Sequence, residues 1–215
     1  MENITKKTKK FIFASPLQPE AALRIVNYRS IESSLLKNDL FTRFPIIVAI
    51  NAYVEENDEI EIITILTEYE NAKRNYEFFK QEIEELKTKR NFKYKITEIS
   101  TPYDETIKIH LQIYSGLISL INDNEIIYAC ITYGTNPTPI VEIMALNYAY
   151  KLRKNTDIGC IVYGRLDHSS SEEPKPSYIH DVSPLFFMDA ISNTMSQLKL
   201  DDPAEKIKAL LEIDT

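Results

Sequence analysis

Glu125-Ile126-Ile127-Tyr128-Ala129-Cys130-Ile131-Thr132 runs directly into Tyr133-Gly134-Thr135-Asn136-Pro137-Thr138-Pro139. The first stretch is almost wholly apolar. That suits a strand in the middle of a parallel sheet, where helices cover both faces. Gly134, Asn136 and Pro137 then mark a loop. Thr138 reads as an N-cap with Pro139 at the first helical position, opening a helix to about Arg153. Strand, short loop and helix make the repeating unit of a parallel α/β sheet.

The same unit recurs on either side. Lys10–Ala14 (KFIFA), Ile60–Leu66 (IEIITIL), Tyr94–Ile99 (YKITEI) and Asp157–Tyr163 (DIGCIVY) read as strands. Helices are expected from Pro45 to about Val54, over Glu70–Lys89 and over Tyr103–Ile121. Within Glu70–Lys89, Tyr76, Phe79, Ile83 and Leu86 have the spacing of a buried stripe. Within Tyr103–Ile121, the stripe expected is Ile107, Leu111, Tyr114, Leu117, Ile118 and Ile121. Residues 18–44 mix short helical stretches (Glu20–Ile25, Ser30–Leu36) with polar punctuation, and Arg165–Ser177 reads as a polar loop or flap. Ser183–Leu198 and Pro203–Ile213 read as closing helices. The fold expected is α/β and Rossmann-like, a mostly parallel sheet of about five or six strands with helices on both faces. Residues 1–200 are read as that domain. Residues 201–215 are read as a helix packing on the core or at a dimer interface through Ile207, Leu210 and Leu211.

Composition narrows the function. The chain has 215 residues and a formal net charge of -7, which argues against a binder of duplex nucleic acid. The basic run Lys6–Lys10 reads as a solvated tail. Four glycines leave no Gly-rich dinucleotide or Walker loop. Cys130 and Cys160 sit in apolar runs and read as buried free thiols of a reducing compartment. With His110, His168 and His180 scattered, no metal signature can be written, and no cofactor is expected. No apolar stretch is long enough to span a membrane, and the N-terminus lacks a signal-peptide core, so the location expected is cytoplasmic. Asp167, His168 and Ser169 look like a nucleophilic set only by composition; a solvated loop is the plainer reading.

In an open α/β sheet, ligands bind beyond the carboxyl ends of the strands. That rule selects Ser15-Pro16-Leu17-Gln18 after the first strand and Thr132–Thr138 after the fourth. The second loop gathers hydroxyls, an amide and a helix N-terminus, groups that suit a phosphate-bearing ligand. Thr138 as a simple N-cap and Gly134 as a simple turn residue explain the same residues structurally. Arg165, at the end of the fifth strand, is a candidate phosphate contact, and Tyr28 and Arg29 are candidates to close over a ligand.

The stretch Ile131–Val141 (ITYGTNPTPIV), followed by Ala145–Tyr150 (ALNYAY), resembles the CRISPR-associated Rossmann fold (CARF) family, in the branch marked by a D-x-T-H-G motif. Cys160–Gly164 (CIVYG) and Val182–Phe186 (VSPLF) resemble the same branch. The resemblance implies a homodimer that binds a cyclic oligoadenylate, the second messenger of type III CRISPR immunity, across its two-fold interface. A tetra- or hexa-adenylate ring is the ligand implied. The contacts carried over are Ser15, Pro16, Leu17 and Gln18, then Thr132, Tyr133, Gly134, Thr135 and Asn136.

Some members of the family also cut the ring without metal, through attack of a ribose 2′-hydroxyl on the neighbouring phosphate. Under that reading Ser15, Thr135 and Asn136 are the candidate catalytic residues, with Gln18 orienting ribose or phosphate. Three positions depart from the motif: Cys130 replaces Asp, Tyr133 replaces His, and Asn136 falls where many relatives carry Lys. Asn136 offers hydrogen bonds without charge, while Tyr133 is expected to stack on an adenine. The appended RNase motif of many relatives, Arg and His separated by four to six residues, is not found. Three readings follow: a ring nuclease, a sensor that passes the signal to a separate effector protein, and an unrelated small α/β nucleotide-binding regulator.

Overall fold

The strands are β1 (Thr8–Ala14), β2 (Tyr28–Arg29), β3 (Glu59–Thr67), β4 (Lys93–Thr101), β5 (Glu125–Cys130), β6 (Asp157–Leu166) and β7 (Ser177–Asp181). The helices are α1 (Pro45–Tyr53), α2 (Glu70–Arg90), α3 (Ile107–Leu120), α4 (Thr138–Leu152), α5 (Ser183–Leu198) and α6 (Pro203–Leu211). The computed structural model describes residues 6–167, 176–198 and 202–211. His168 and Ser169, most of the expected flap, and the end of the last helix lie outside the described residues.

The strands form one seven-stranded sheet in the order β2-β7-β6-β5-β1-β3-β4. All pairings are parallel except β6 with β7. The fold is thus the expected Rossmann-like α/β arrangement, with more strands than expected. The additions are β7 and the two-residue β2, which pairs with β7. Neither has the length or apolar run by which a central strand is recognised.

Both faces of the sheet are buried. Phe11, Phe13, Ile60, Ile62, Tyr128 and Val162 join α1 and α2 residues in one core cluster, where Phe13 meets Phe79 at 4.3 Å. The alternate positions Ile12, Ile63, Ile65, Ile127 and Ala129 are equally buried. Side chains alternate along a strand, so these face the opposite layer. α1 packs on α2 and α3 packs on α4. Right-handed crossovers place the two pairs on opposite faces, because the winding reverses between β1 and β5.

Three expectations change. α3 begins at Ile107 rather than Tyr103, since Asp104 Oδ1 accepts the Thr106 N–H at 2.8 Å and holds the chain in a turn. Its buried face is Ile109, His110, Ile113 and Leu117, while Ile107 and Leu111 are exposed. Leu117 and Ile121 of the expected stripe are fully buried, but the apolar residues of this helix ring more than one face, so periodicity alone places part of the stripe wrongly. Residues 18–44 contain a 3₁₀ turn at Glu20–Ala22, the short β2 and an isolated Val26–Thr42 bridge, not two helical stretches.

The basic run Lys6–Lys10 is not a solvated tail. Lys9 Nζ lies 2.7 Å from Asp58, which Lys6 also contacts. Burial pushes the Asp58 carboxyl up, but the hydrogen bonds from Lys6 and Lys9 prevail and hold it at about 2. Lys10 is fully buried, 2.6 Å from Glu125 and 3.2 Å from Glu61, and also donates to the Leu120 carbonyl. A cation there complements the C-terminal end of α3.

Two compact units make up the chain, Met1–Asp181 and Val182–Thr215. In the second, α6 packs on α5. Among the described residues no helix is long and apolar enough to cross a membrane.

Lys10→Met strands Glu125 without its cation and is expected to lower the unfolding free energy by about 3–5 kcal/mol. Adding Glu125→Leu is expected to restore most of that loss. Urea unfolding followed by circular dichroism measures both; a single-variant loss under about 1 kcal/mol would mean the pair behaves like a surface ion pair.

Candidate functional site

The reversal of winding at β1 and β5 sends their following loops in opposite directions and leaves a crevice at their carboxyl ends. The loop after β1 is held from beneath. Ser15 N donates to Ile65 O at 2.9 Å, and Ser15 Oγ donates to Ala72 O at 2.7 Å. Asn75, fully buried on α2, donates to Pro16 O (2.8 Å) and Gln18 O (2.9 Å), and Asn71 donates to Leu17 O (3.2 Å). Ser15 is 1% exposed. Its hydroxyl proton is engaged with α2, so Ser15 fastens the loop, against the expectation of a catalytic or ligand-contacting group. Pro16 is buried and Leu17 packs against the core cluster.

The loop after β5 is built in the same way. Thr132 Oγ1 accepts the Gly164 N–H at 2.9 Å and so ties this loop to β6. Tyr133 turns inward: its hydroxyl donates to Arg43 O at 2.8 Å, and its ring packs against the core cluster. A ring anchored there is a wall, not the free stacking surface expected. Gly134 has φ +104°, and a Cβ on it would lie 2.7 Å from Thr138 Cβ, so only glycine fits. Thr138 Oγ1 accepts the Thr135 N–H at 3.1 Å and lies 3.0 Å from Thr135 Oγ1, while Thr138 N donates to Thr135 O at 2.9 Å. The Thr135 hydroxyl therefore belongs to a closed turn. Thr138 caps backward from within α4 rather than as the residue before it. The Asn136 side chain is exposed and makes no hydrogen bond among the described residues.

A cleft of about 140 Å³ opens between these loops and the end of β6. Gln18, Thr132, Tyr133 and Arg165 line it together. Ser15, Pro16, Leu17, Gly134, Thr135 and Asn136 do not. Tyr28 is a buried wall of the cleft, and Arg29 lines the neighbouring cavity. The sequence reading missed Arg24, which joins Arg165 at the cleft. Among the described residues no carboxylate lines it, although the chain carries a net charge of -7. Arg165 also lies over the Tyr178 ring at 5.5 Å. Two arginines line one small cleft, and no acid offsets them among its described lining residues, an arrangement that suits an anion.

The loop-pinning amides Asn71 and Asn75 were missed too, though Asn75 left a signal. It interrupts the buried stripe Ala72, Tyr76, Phe79, Ile83. A buried amide inside an apolar stripe must find backbone partners.

Beneath the β5 loop, Glu142 of α4 is 1% exposed, and neither carboxylate oxygen has a partner among the described residues. Burial pushes its carboxyl well above the ordinary carboxylate range. Burial likewise pushes the Cys130 thiol up to about 12, against hydrogen bonds from Thr132 that lower it. Both cysteines are buried and neither is in a disulfide, and a thiol raised as that of Cys130 is not a nucleophile.

No known family model matches the chain, and no curated protein is similar enough to count as a match. The fold and the cleft define a class: a Rossmann-like α/β protein with an arginine-lined cleft at its switch point.

Folded Glu142 keeps a proton that the unfolded chain releases near pH 4. Its contribution therefore turns against the fold as pH rises above that value, by at most about 1.4 kcal/mol per pH unit. Glu142→Gln is expected to be more stable than the natural chain at pH 8, with the gap shrinking toward pH 4. Thermal melts across that range check it, and a gap that does not change with pH contradicts it.

Proposed function

We propose that this chain binds a cyclic oligoadenylate, the anionic ring implied by its resemblance to CARF proteins. The observation that carries the reading is the pair Arg24 and Arg165 at a switch-point cleft that no carboxylate lines among the described residues, in an acidic chain. The cleft alone is too small for a ring of nucleotides: about 140 Å³, below the roughly 300–1,000 Å³ of pockets that enclose small ligands. A second copy of the chain completes the site. Ile107 and Leu111 on α3, with Ile140 and Met144 on α4, are exposed and offer an apolar surface for that pairing.

Of the two activities, sensing fits the engaged hydroxyls better. Ser15 and Thr135 already bond to the protein, which leaves them as supports of loop geometry. A sensor acts through a separate effector protein. Ring cleavage is the second reading, favoured by the same two arginines. In that reaction a ribose 2′-oxygen attacks the adjacent phosphorus and loses its proton. The 5′-oxygen departs and gains one, leaving a 2′,3′-cyclic phosphate. Arg24 and Arg165 would supply the positive charge that Asn136 lacks.

The test incubates the protein with cyclic tetra-adenylate and cyclic hexa-adenylate in EDTA, followed by chromatography and native mass spectrometry. The expected result is one intact ring per two chains, with Arg165→Ala weakening binding at least tenfold, about 1.4 kcal/mol. Linear products ending in 2′,3′-cyclic phosphate would instead select the nuclease. Equal affinity for linear and cyclic oligoadenylates would overturn both in favour of a general nucleotide-binding regulator.

A further inference from the structure

A larger cavity of about 560 Å³ adjoins the cleft and shares Arg24, Val26 and Ser177 with it. Its walls come from the segment between β2 and α1 and the chain just before it. Val26 and Thr42 exchange backbone hydrogen bonds of 3.1 and 2.9 Å and close that segment into a loop. Inside the loop Asn27 Nδ2 donates to the carbonyls of Asn38 (3.2 Å) and Leu40 (2.9 Å). Asn38 in turn donates to Tyr28 O and Leu36 O and accepts from Leu40 N. Glu82 of α2 anchors the far limb, taking the Thr42 hydroxyl at 2.5 Å and the Arg43 guanidinium at 2.8 Å. The cavity is thus preformed.

Its lining combines unlike chemistries. Phe41 presents a ring that is 72% exposed and has no ring partner among the described residues. Asp39 and Arg24 also line it, and neither makes a hydrogen bond or ion pair among the described residues. An aromatic face, an acceptor-only carboxylate and a guanidinium match the base, the exocyclic amine and the phosphate of an adenine nucleotide.

We propose that this cavity is the adenine-recognising subsite of the ligand. Phe41 stacks on one base, Asp39 accepts from its N6 amine, and Arg24, shared by both cavities, holds the adjoining phosphate. The assignment rests on the ring-binding reading and adds the source of base selectivity. A base with oxygen in place of that amine would set an acceptor against the Asp39 carboxylate, which rejects it.

Calorimetric titration with cyclic tetra-adenylate and its inosine counterpart tests this. The natural chain is expected to prefer the adenine ring at least tenfold. Phe41→Ala should weaken adenine-ring binding at least tenfold. Asp39→Asn, whose amide can donate to the oxygen of inosine, should narrow the preference to under threefold. Ile31→Ala, exposed on the same segment but outside the cavity, should change neither. If Phe41→Ala and Asp39→Asn bind both rings as the natural chain does, the subsite is overturned while ring binding stands. If the natural chain binds no ring, saturation-transfer NMR with 5′-AMP and 5′-IMP reads the cavity alone. Contact to AMP that exceeds IMP and disappears in Phe41→Ala upholds an adenine site, and no contact to AMP overturns it. Loss of self-association in Phe41→Ala, seen by sedimentation, would assign the ring to a protein contact and overturn the subsite too.

Discussion

The double burial of β1 is the constraint on which the rest depends. It pairs in parallel with β3 on one side and β5 on the other, and Phe11, Ile12, Phe13 and Ala14 are all almost fully buried. A strand with apolar residues on both faces needs a helix layer on each. One chain provides two layers only by reversing its winding, and the reversal falls beside β1. The crevice is a consequence of that reversal. Lys10 is the exception inside this strand. Glu125, Glu61 and the end of α3 surround it, so the base of the sheet is fixed by charge where its middle is fixed by packing.

The two loops at the crevice divide their labour from the arginines around them. Their hydroxyls and amides look chemical in the sequence but are mostly fasteners. Ser15 bonds to Ala72, Thr132 to Gly164, Thr135 to Thr138, and Tyr133 to Arg43. The positive charge at the cleft comes instead from outside these loops, from Arg24 before β2 and Arg165 on β6. Loops whose polar groups are already bonded to the protein are preorganised.

The sequence carried the fold further than the site. Strands β3 and β5 and the stripe of α2 were legible because burial imposes a period or an unbroken apolar run. The stripe of α3 was only partly legible: Leu117 and Ile121 are buried as expected, but Ile107 and Leu111 are as apolar as the buried residues and are exposed. Exposure there is decided by which side meets the sheet. The lysines before and within β1 were misread for the opposite reason. Charge predicts solvent unless a partner exists, and Asp58 and Glu125 lie far along the chain.

Taken alone, the sequence determined the α/β class, the parallel unit and the two loops at the carboxyl ends of β1 and β5, because these follow from local periodicity and chain order. Tertiary structure alone decided which polar groups are engaged and which face a cleft. It also decided the conformation of residues 24–41, which have no periodic pattern and are shaped by the Val26–Thr42 bridge, Asn27, Asn38 and the anchor at Glu82. Hydrogen-bond satisfaction depends on partners distant in sequence, and no local pattern encodes it.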